Sequence, residues 1–335
     1  MSKIAEPADI LEHAESVAEK VSNARSEIAS VIFGQDQVIE QAIITLLAGG
    51  HALLVGVPGL AKTRLVETMG TVLGLDAGRV QFTPDLVAAD IIGSEVLEEN
   101  EAGKRQFRFI KGPVFAQLLM ADEINRASPR TQSALLQSMQ EYQVTVSGEH
   151  YDLPSPFHVL ATQNPLEQEG TYPLPEAQLD RFLMQIDVDY PDLEAERRML
   201  LATTGSDEYK PTPKISSDDL KMAQRIVRQI PVGETVVAAI LELVRSARPG
   251  DETNEHSDLI EWGPGPRASQ ALLLTARARA LLNGHLSPTI DDVIALAKPV
   301  LQHRMALKPS ARRQGNSVMS LIDTLLTRIQ TGSGS

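Results

Sequence analysis

The chain has 335 residues, a formal net charge of -13, a hydrophobic content of 42% and no cysteine. Domains of roughly 100 to 200 residues are typical, so this length predicts two domains. The acidic balance argues against broad, nonspecific attraction to nucleic acid or anionic lipid, and without cysteine the chain cannot form disulfides or thiolate metal sites. The N-terminus lacks the pattern of a signal peptide and no apolar stretch reaches about 18 residues, so we expect a cytoplasmic protein without membrane insertion.

The chain begins with helical patterns and then changes period. Apolar positions between Gln35 and Leu47 follow helical spacing, and residues 1–33 are predicted as a separate N-terminal helical segment. Ala52 to Val55 is a short apolar run, which predicts a buried strand, and an amphipathic helix follows it after a loop. Further buried strands are predicted at Leu118 to Ala121 and at Val159 to Thr162. Residues 34–190 are therefore predicted to form an α/β nucleotide-binding core with a parallel central sheet.

The loop after the first strand reads GVPGLAKT, a pattern typical of phosphate binding. Between a strand and a helix, the backbone N–H groups of such a loop can surround phosphates at the helix N-terminus. Lys62 would reach the β- and γ-phosphates, and Thr63 would bind Mg²⁺. The residues expected to bind the nucleotide are Gly56, Val57, Pro58, Gly59, Leu60, Ala61, Lys62, Thr63 and Arg64.

One position of this loop departs from the usual pattern. Ala61 stands where a second glycine is expected. The added methyl group predicts a right-handed backbone conformation at Ala61 but does not block phosphate binding.

Two later strands end in polar side chains. Asp122 and Glu123 directly follow the strand at Leu118 to Ala121, where Asp122 would hold Mg²⁺ and Glu123 would activate the attacking water. Asp122 could instead cap the helix predicted to begin near Ser128. Asn164 follows the next strand and could orient the same water, although asparagine before proline is also a common turn former.

The strand signals stop after Pro191, and residues 191–330 are predicted as an all-helical second domain. The predicted helices cover residues 194–203, 217–229, 233–247, 266–283, 288–302 and 316–330. The Gly/Ser-containing residues 331–335 are expected to form a disordered tail.

The segments GVPGLAKT, LLMADEINRA, VLATQNP, AQLDRF and GPGPRAS, in this order, resemble the AAA+ ATPases of the MoxR group, over roughly Ile32 to Met305. The resemblance implies an AAA+ αβα core with a helical lid, and a hexameric ring that binds ATP and Mg²⁺ between subunits. It also implies a chaperone that matures a client protein by metal insertion or complex assembly, often beside a partner with a von Willebrand factor A domain. Asn164 matches the sensor 1 position, Arg181 the arginine finger and Arg267 the sensor 2 position.

The chemistry behind the two arginines is electrostatic. A guanidinium stabilises the negative charge that builds up on the γ-phosphate during transfer. Arg181 would act in trans on the ATP of a neighbouring subunit, and Arg267 would report the nucleotide state to the lid. Either arginine could instead form an ordinary surface salt bridge.

Two β-hairpins are predicted within the core, at residues 91–110 and 142–153. They resemble the helix 2 insert and the pre-sensor 1 hairpin of this branch of AAA+ proteins, so their tips would contact a client or partner. The alternative is that they only extend the sheet. Arg126 and Arg130, after the acidic pair, could face the adjacent subunit or solvent.

Other functions fit parts of the same pattern. Minichromosome maintenance helicases share the hairpins, but the second hairpin carries Glu149, His150 and Asp152 with no Lys or Arg. The first hairpin has Lys104, Arg105 and Arg108. A nucleic-acid partner is therefore not expected. A magnesium chelatase motor subunit has similar site motifs. A nucleotide-binding scaffold without hydrolysis is disfavoured because the catalytic set Glu123, Asn164, Arg181 and Arg267 is present.

Overall fold

The computed structural model describes residues 7–99, 105–167, 169–205, 209–250 and 256–332. Helices occupy α1 Pro7–Ala29, α2 Asp36–Leu47, α3 Lys62–Val72, α4 Ala88–Ile92, α5 Pro129–Glu141, α6 Glu176–Leu179, α7 Leu193–Thr203, α8 Ser217–Gln229, α9 Glu234–Ser246, α10 Pro266–Leu282, α11 Ile290–Leu301, α12 Pro309–Arg313 and α13 Val318–Gly332. Strands occupy β1 Ala52–Val55, β2 Ala77–Gln81, β3 Gly93–Glu99, β4 Arg105–Lys111, β5 Leu118–Asp122, β6 Gln143–Val146, β7 Glu149–Asp152, β8 His158–Gln163, β9 Met184–Asp187, β10 Ile260–Trp262 and β11 Ala306–Leu307.

The central sheet has five parallel strands in the order β2-β5-β8-β1-β9. The strands predicted from apolar runs, β1, β5 and β8, are the three inner strands. Inner strands of a parallel sheet are covered on both faces, which explains their continuous apolar sequence. The predicted parallel α/β fold with inserted hairpins and a following lid is confirmed.

Side chains alternate between the two faces of this sheet. In β1, Leu54 packs with the core that contains α1, α2, α3 and the lid helices, whereas Leu53 packs with the core beneath α5. Residues Met120 and Leu119 divide in the same way in β5. Because all five strands are parallel, the loops after β1, β5 and β8 meet at one edge of the sheet.

The two hairpins form as antiparallel pairs, β3 with β4 and β6 with β7. Phe109 of β4 stacks on Tyr151 of β7, with ring centroids 4.1 Å apart and an interplanar angle of 24°. The turn of the first hairpin, including Lys104, lies outside the described residues. The hairpins therefore contact each other through an aromatic pair.

In the part of the chain after residue 190 that the structure describes, the elements are helices and one short antiparallel pair, β10 with β11, which the sequence did not predict. Strands of three and two residues are too short to show a period-2 pattern. Helix α13 continues to Gly332, two residues into the predicted tail, and residues 333–335 lie outside the described part of the chain. None of the described helices is long and apolar enough to cross a membrane.

Helix α1 does not stand apart from the other elements. It packs against α2 and α3 of the core and also against α8 and α10 of the lid. One apolar cluster runs through α1, one face of the sheet and the lid helices. The division into residues 1–33, 34–190 and 191–330 stays a prediction.

Two buried histidines lie where the sheet meets the lid. His51 Nδ1 accepts the N–H of Val159 at 2.9 Å, and its Nε2 lies 3.2 Å from a carbonyl oxygen of α5. His158 has the reverse arrangement: its Nδ1 lies 2.8 Å from the carbonyl of Gly50, and its Nε2 accepts from the amide of Gln224 in α8 at 3.0 Å. Burial lowers the pKa of His51 to about 3 and the pKa of His158 to about 4. Both rings are therefore neutral, and their tautomers are opposite.

Candidate nucleotide-binding site

The predicted phosphate loop connects β1 to the first turn of α3. Gly59 has φ 86° and Ala61 has φ 55°, so both adopt left-handed backbone conformations. The predicted right-handed conformation at Ala61 is wrong: its ψ is 20°, and α3 begins directly after it. An alanine in this region costs about 1 kcal/mol relative to the right-handed conformation. The loop therefore keeps a glycine-like path with an alanine in it.

Gly56 is required by a close approach rather than by its φ angle. A Cβ atom at this position would lie 2.5 Å from the carbonyl oxygen of Val188. The loop thus begins in contact with the chain that leaves β9, and no larger residue fits there without movement of the backbone.

Lys62 is the first residue of α3. Its ammonium donates to the carbonyl of Gly56 and, at 3.2 Å, to the carbonyl of Val57. Burial lowers the pKa of Lys62, and the carboxylates of Asp122 and Glu123 oppose that shift. The lysine is thus held over the start of the loop, on the side of the acidic pair.

A cavity of about 370 Å³ lies at this edge of the sheet. Its walls are formed by Pro58, Gly59, Ala61, Lys62, Thr63, Arg64, Asp122, Glu123, Thr162 and Asn164. The structure therefore brings together residues that follow three different strands. The Oδ1 atom of Asn164 accepts the N–H of Leu166 at 3.1 Å, so the NH₂ group of Asn164 is the part that can donate into the cavity.

Thr162 connects the two acids, a role that the sequence analysis missed. Its hydroxyl donates to Asp122 Oδ1 at 2.6 Å and accepts the backbone N–H of Glu123 at 2.8 Å. Glu123 has φ 54°, an uncommon conformation that this hydrogen bond helps to hold. A hydroxyl residue near the end of an otherwise apolar strand was the available signal.

Both carboxylates also contact polar residues outside the predicted set. Arg79 binds Asp122 Oδ2 at 2.7 Å. Gln81 and Arg126 donate to Glu123 Oε2 at 2.8 Å and 2.9 Å. Arg79 and Gln81 lie on β2, an edge strand that the apolar pattern did not reveal. Arg126, for which the sequence analysis expected either solvent or a neighbouring subunit, binds Glu123 in this conformation.

A second cavity, of about 260 Å³, lies on the other side of the phosphate loop. Its walls include Ile32, Phe33, Leu60, Tyr190, Pro191 and Met199, which are mostly apolar. The sequence analysis did not predict this cavity, because its walls come from three distant parts of the chain. Leu60 and Arg64, both among the predicted binding residues, line it.

Arg181 and Arg267 lie away from the phosphate loop. They line a separate groove with Gly50 and His51, which precede β1, whereas the loop follows β1. A four-residue strand is about 13 Å long, so the two sites lie at opposite ends of the parallel strands. Arg267 is 3.6 Å from the carboxylate of Asp180.

Comparison with known proteins shows the family of this chain. Residues 51–184 match the ATPase family associated with various cellular activities (AAA), and residues 252–325 match the AAA lid domain. Over 305 residues the chain is 41% identical to Chaperone MoxR1 of Mycobacterium tuberculosis, covering 90% of this chain and 80% of that protein. The chain belongs to the MoxR family of AAA+ ATPases.

Other relatives extend the likeness over nearly the whole chain. Protein MoxR of Paracoccus denitrificans is 32% identical over 330 residues, covering 92% of this chain and 95% of that protein. The solved structure of an inferred ATPase from Cytophaga hutchinsonii has a TM-score of 0.87 at 38% identity, covering 94% and 96% of the two chains. MoxR membership confirms the resemblance stated from the motifs and makes nucleotide binding with a divalent cation the expected property of the cavity.

Proposed function

We propose that this MoxR-family protein hydrolyses ATP between the subunits of a ring and uses the energy to remodel a client protein. The observation that carries the proposal is the cavity in which Lys62, Thr63, Asp122, Glu123 and Asn164 meet. These are the cation, metal-ligand, base and amide groups that phosphoryl transfer to water requires.

The cavity suits Mg²⁺. The hydroxyl of Thr63 and the carboxylate of Asp122 are oxygen ligands of the kind that Mg²⁺ takes together with phosphate and water. Thr63 and Asp122 would hold the ion, which when bound neutralises charge on the phosphates. Arg79 contacts Asp122 in this conformation, so the arginine would give way when the ion binds.

Glu123 would act as the base toward water. Thr162 fixes its backbone, and the NH₂ group of Asn164 would orient the same water molecule. In the present conformation the Glu123 carboxylate accepts hydrogen bonds from Gln81 and Arg126. Hydrolysis then requires at least one of these contacts to be released.

The positions of the arginines support action in trans. Arg181 and Arg267 lie at the edge of the sheet opposite the phosphate loop, so neither is placed to reach a γ-phosphate held by its own subunit. In a ring, that edge would face the cavity of the next copy. We therefore propose that both arginines stabilise the charge on the ATP of a neighbour, which makes hydrolysis depend on assembly.

The apolar cavity beside the phosphate loop would hold the adenine base. It opens onto Gly59 and Leu60, and Phe33 and Tyr190 supply aromatic surface. Such a cavity has the mostly apolar walls that small-molecule sites usually show.

The client is proposed to be a protein. The relative Chaperone MoxR1 is named as a chaperone, and chaperones act on other proteins. We further propose that the protein forms a hexamer in the cytoplasm and that it matures its client by metal insertion or complex assembly. It would act beside a partner with a von Willebrand factor A domain. Nucleic acid is not favoured, because Arg108 of the first hairpin is paired with Glu98 and the second hairpin has no Lys or Arg.

The test is the ATPase rate per subunit against protein concentration, with the assembly mass determined at each point. We expect the rate to rise with assembly and to be unaffected by added DNA. Glu123→Gln should retain ATP and lose turnover, whereas Glu149→Gln, the same change on an exposed hairpin, should keep the normal rate. Full turnover in Glu123→Gln, or a rate independent of assembly, would contradict the proposal.

A further inference from the structure

Arg304 is the buried arginine of the lid. It ends the 3₁₀ turn Gln302–Arg304 after α11, and only 2% of it is exposed. A buried guanidinium is costly unless its donors are paired, so its contacts show what it is there to hold.

All five N–H donors of Arg304 have acceptors, and four of these contacts fall on residues 180–183. The Nε atom donates to the Asp180 carboxylate at 2.8 Å. The Nη2 atom donates to the carbonyls of Phe182 at 2.7 Å and Asp180 at 3.3 Å. The Nη1 atom donates to the carbonyls of Leu183 at 3.1 Å and of Val300 at 2.6 Å.

Arg181 lies in the middle of this clamped segment. The carbonyls on both sides of it are hydrogen bonded, and Phe182 is fully buried. His303 adds a further contact, with its Nε2 atom 3.0 Å from the carbonyl of Phe182. No described residue binds the guanidinium of Arg181 itself, which lines the open groove. The backbone that carries Arg181 is thus fixed while its side chain stays available.

The hydrogen-bond network of Arg304 also reaches Arg267, through Asp180. The Asp180 carboxylate lies between Arg304, at 2.8 Å, and Arg267, at 3.6 Å. An arginine that only held the lid against the core would not need to bind the backbone carbonyls on both sides of Arg181. Arg279 shows what such a tie looks like, because it binds Glu40 of α2 and Asp292 of α11 without contact to residues 180–183.

We propose that Arg304 is a positioning residue that sets the place of Arg181 at the neighbouring nucleotide. This inference rests on the proposed action of Arg181 in trans. Arg304 belongs to the lid and Arg181 to the core. The lid of one subunit therefore sets the position of the arginine finger at the nucleotide of the next subunit. A displacement of about 1 Å in a catalytic group can cost about 100-fold in rate.

The test compares Arg304→Lys with Arg279→Lys, a matched change at another arginine that connects the lid to the core. Lysine keeps the charge but has three donors in place of the planar five. We expect Arg304→Lys to lower kcat by about 10- to 100-fold while the Kd for a fluorescent ADP analogue and the assembly mass stay unchanged. Arg279→Lys should lower the melting temperature but keep kcat.

Mixing subunits separates positioning from a folding defect. An Arg304→Lys subunit has an intact phosphate loop, and a Glu123→Gln subunit has an intact finger, so mixed assemblies should exceed the summed rates of the two separate proteins. Absence of that gain, a weaker Kd for the ADP analogue, or a kcat equal to that of Arg279→Lys would overturn the inference.

Two further variants complete the test. If Arg304→Lys fails to fold, Asp180→Asn takes its place, because it weakens the same network without changing its shape; a several-fold lower kcat with rescue is expected, and normal turnover overturns the inference. Arg181→Ala is measured in parallel. If Arg181→Ala keeps full activity, the proposed action in trans fails; if it loses activity and is rescued while the Arg304 network proves dispensable, only the positioning role fails.

Discussion

The hydroxyl of Thr162 binds two acids for which different tasks are proposed. It donates to the side chain of Asp122 and accepts from the backbone of Glu123, so one group sets the spacing between the proposed metal ligand and the proposed base. Groups that hold ligands in place often matter nearly as much as the ligands themselves. Thr162 is buried, so water cannot take over its hydrogen bonds without a rearrangement of the surrounding residues.

Thr162→Val is therefore expected to reduce ATPase activity although it keeps the shape of the side chain. We expect a loss of about 10- to 100-fold and a higher Mg²⁺ concentration for half-maximal rate. A steady-state assay over a Mg²⁺ series measures both. Thr145→Val on the exposed strand β6 serves as the control and should leave both quantities unchanged.

Ala61→Gly should stabilise the protein, because glycine adopts the left-handed conformation of this position without a penalty. We expect a gain of up to about 1 kcal/mol in the free energy of unfolding, measured by urea denaturation. Ala134→Gly, in the middle of the right-handed helix α5, should lose about 1 kcal/mol. A loss of stability in Ala61→Gly would show that the loop changes conformation in solution.

At the scale of elements, the sequence predicted the strands that are buried on both faces. The apolar runs of β1, β5 and β8 were readable because both faces of each strand are covered. Edge strands have no such signature: β2 buries only Val80, and β9 alternates apolar residues with Gln185 and Asp187. The contacts of Arg79 and Gln81 were missed for the same reason.

Much of the candidate site could also be predicted, because its residues follow inner strands. Lys62, Asp122 and Asn164 each stand at the end of such a strand or one loop beyond it. Arg304 could not be predicted, since its role depends on a contact between residues 124 positions apart. The left-handed Ala61 was missed because a sequence motif specifies residue types and only tertiary contacts fix the backbone angles.

The two hairpins should be energetically coupled through their stacked rings. A double-mutant cycle with Phe109→Leu and Tyr151→Leu is expected to give a coupling energy of about 0.5 to 1.5 kcal/mol. The free energy of unfolding of the four proteins measures it. As a control, the pair Phe107→Leu and Tyr151→Leu should give additive effects, because Phe107 is exposed and 69% of its surface is accessible.

At the scale of the whole molecule, buried neutral histidines make stability depend on pH. Burial lowers the pKa values of His51 and His158 to about 3 and about 4, and lowers that of His303 well below its ordinary value. The unfolded chain therefore binds more protons below about pH 6.5, and folding stability falls as the pH drops. Each histidine contributes a slope of up to about 1.4 kcal/mol per pH unit.

Urea denaturation at pH 7.5 and at pH 5.5 tests this dependence. The midpoint should be lower at pH 5.5, and His158→Gln should reduce the difference between the two conditions although it destabilises the protein at both. His285→Gln, a change at an exposed histidine of the lid, should leave the difference intact. Equal midpoints at the two pH values would contradict the assigned protonation.

The opposite tautomers of the two buried histidines have a spectroscopic consequence. His51 carries its proton on Nε2, whereas His158 carries it on Nδ1 because Gln224 of the lid donates to the other nitrogen. The ¹⁵N chemical shifts of His158 therefore report whether α8 is docked on the sheet, and those of His51 provide a comparison, because both ring nitrogens of His51 are hydrogen bonded to backbone atoms of the core. Labelled histidine in the intact protein would therefore show whether α8 stays docked on the sheet when a nucleotide is added.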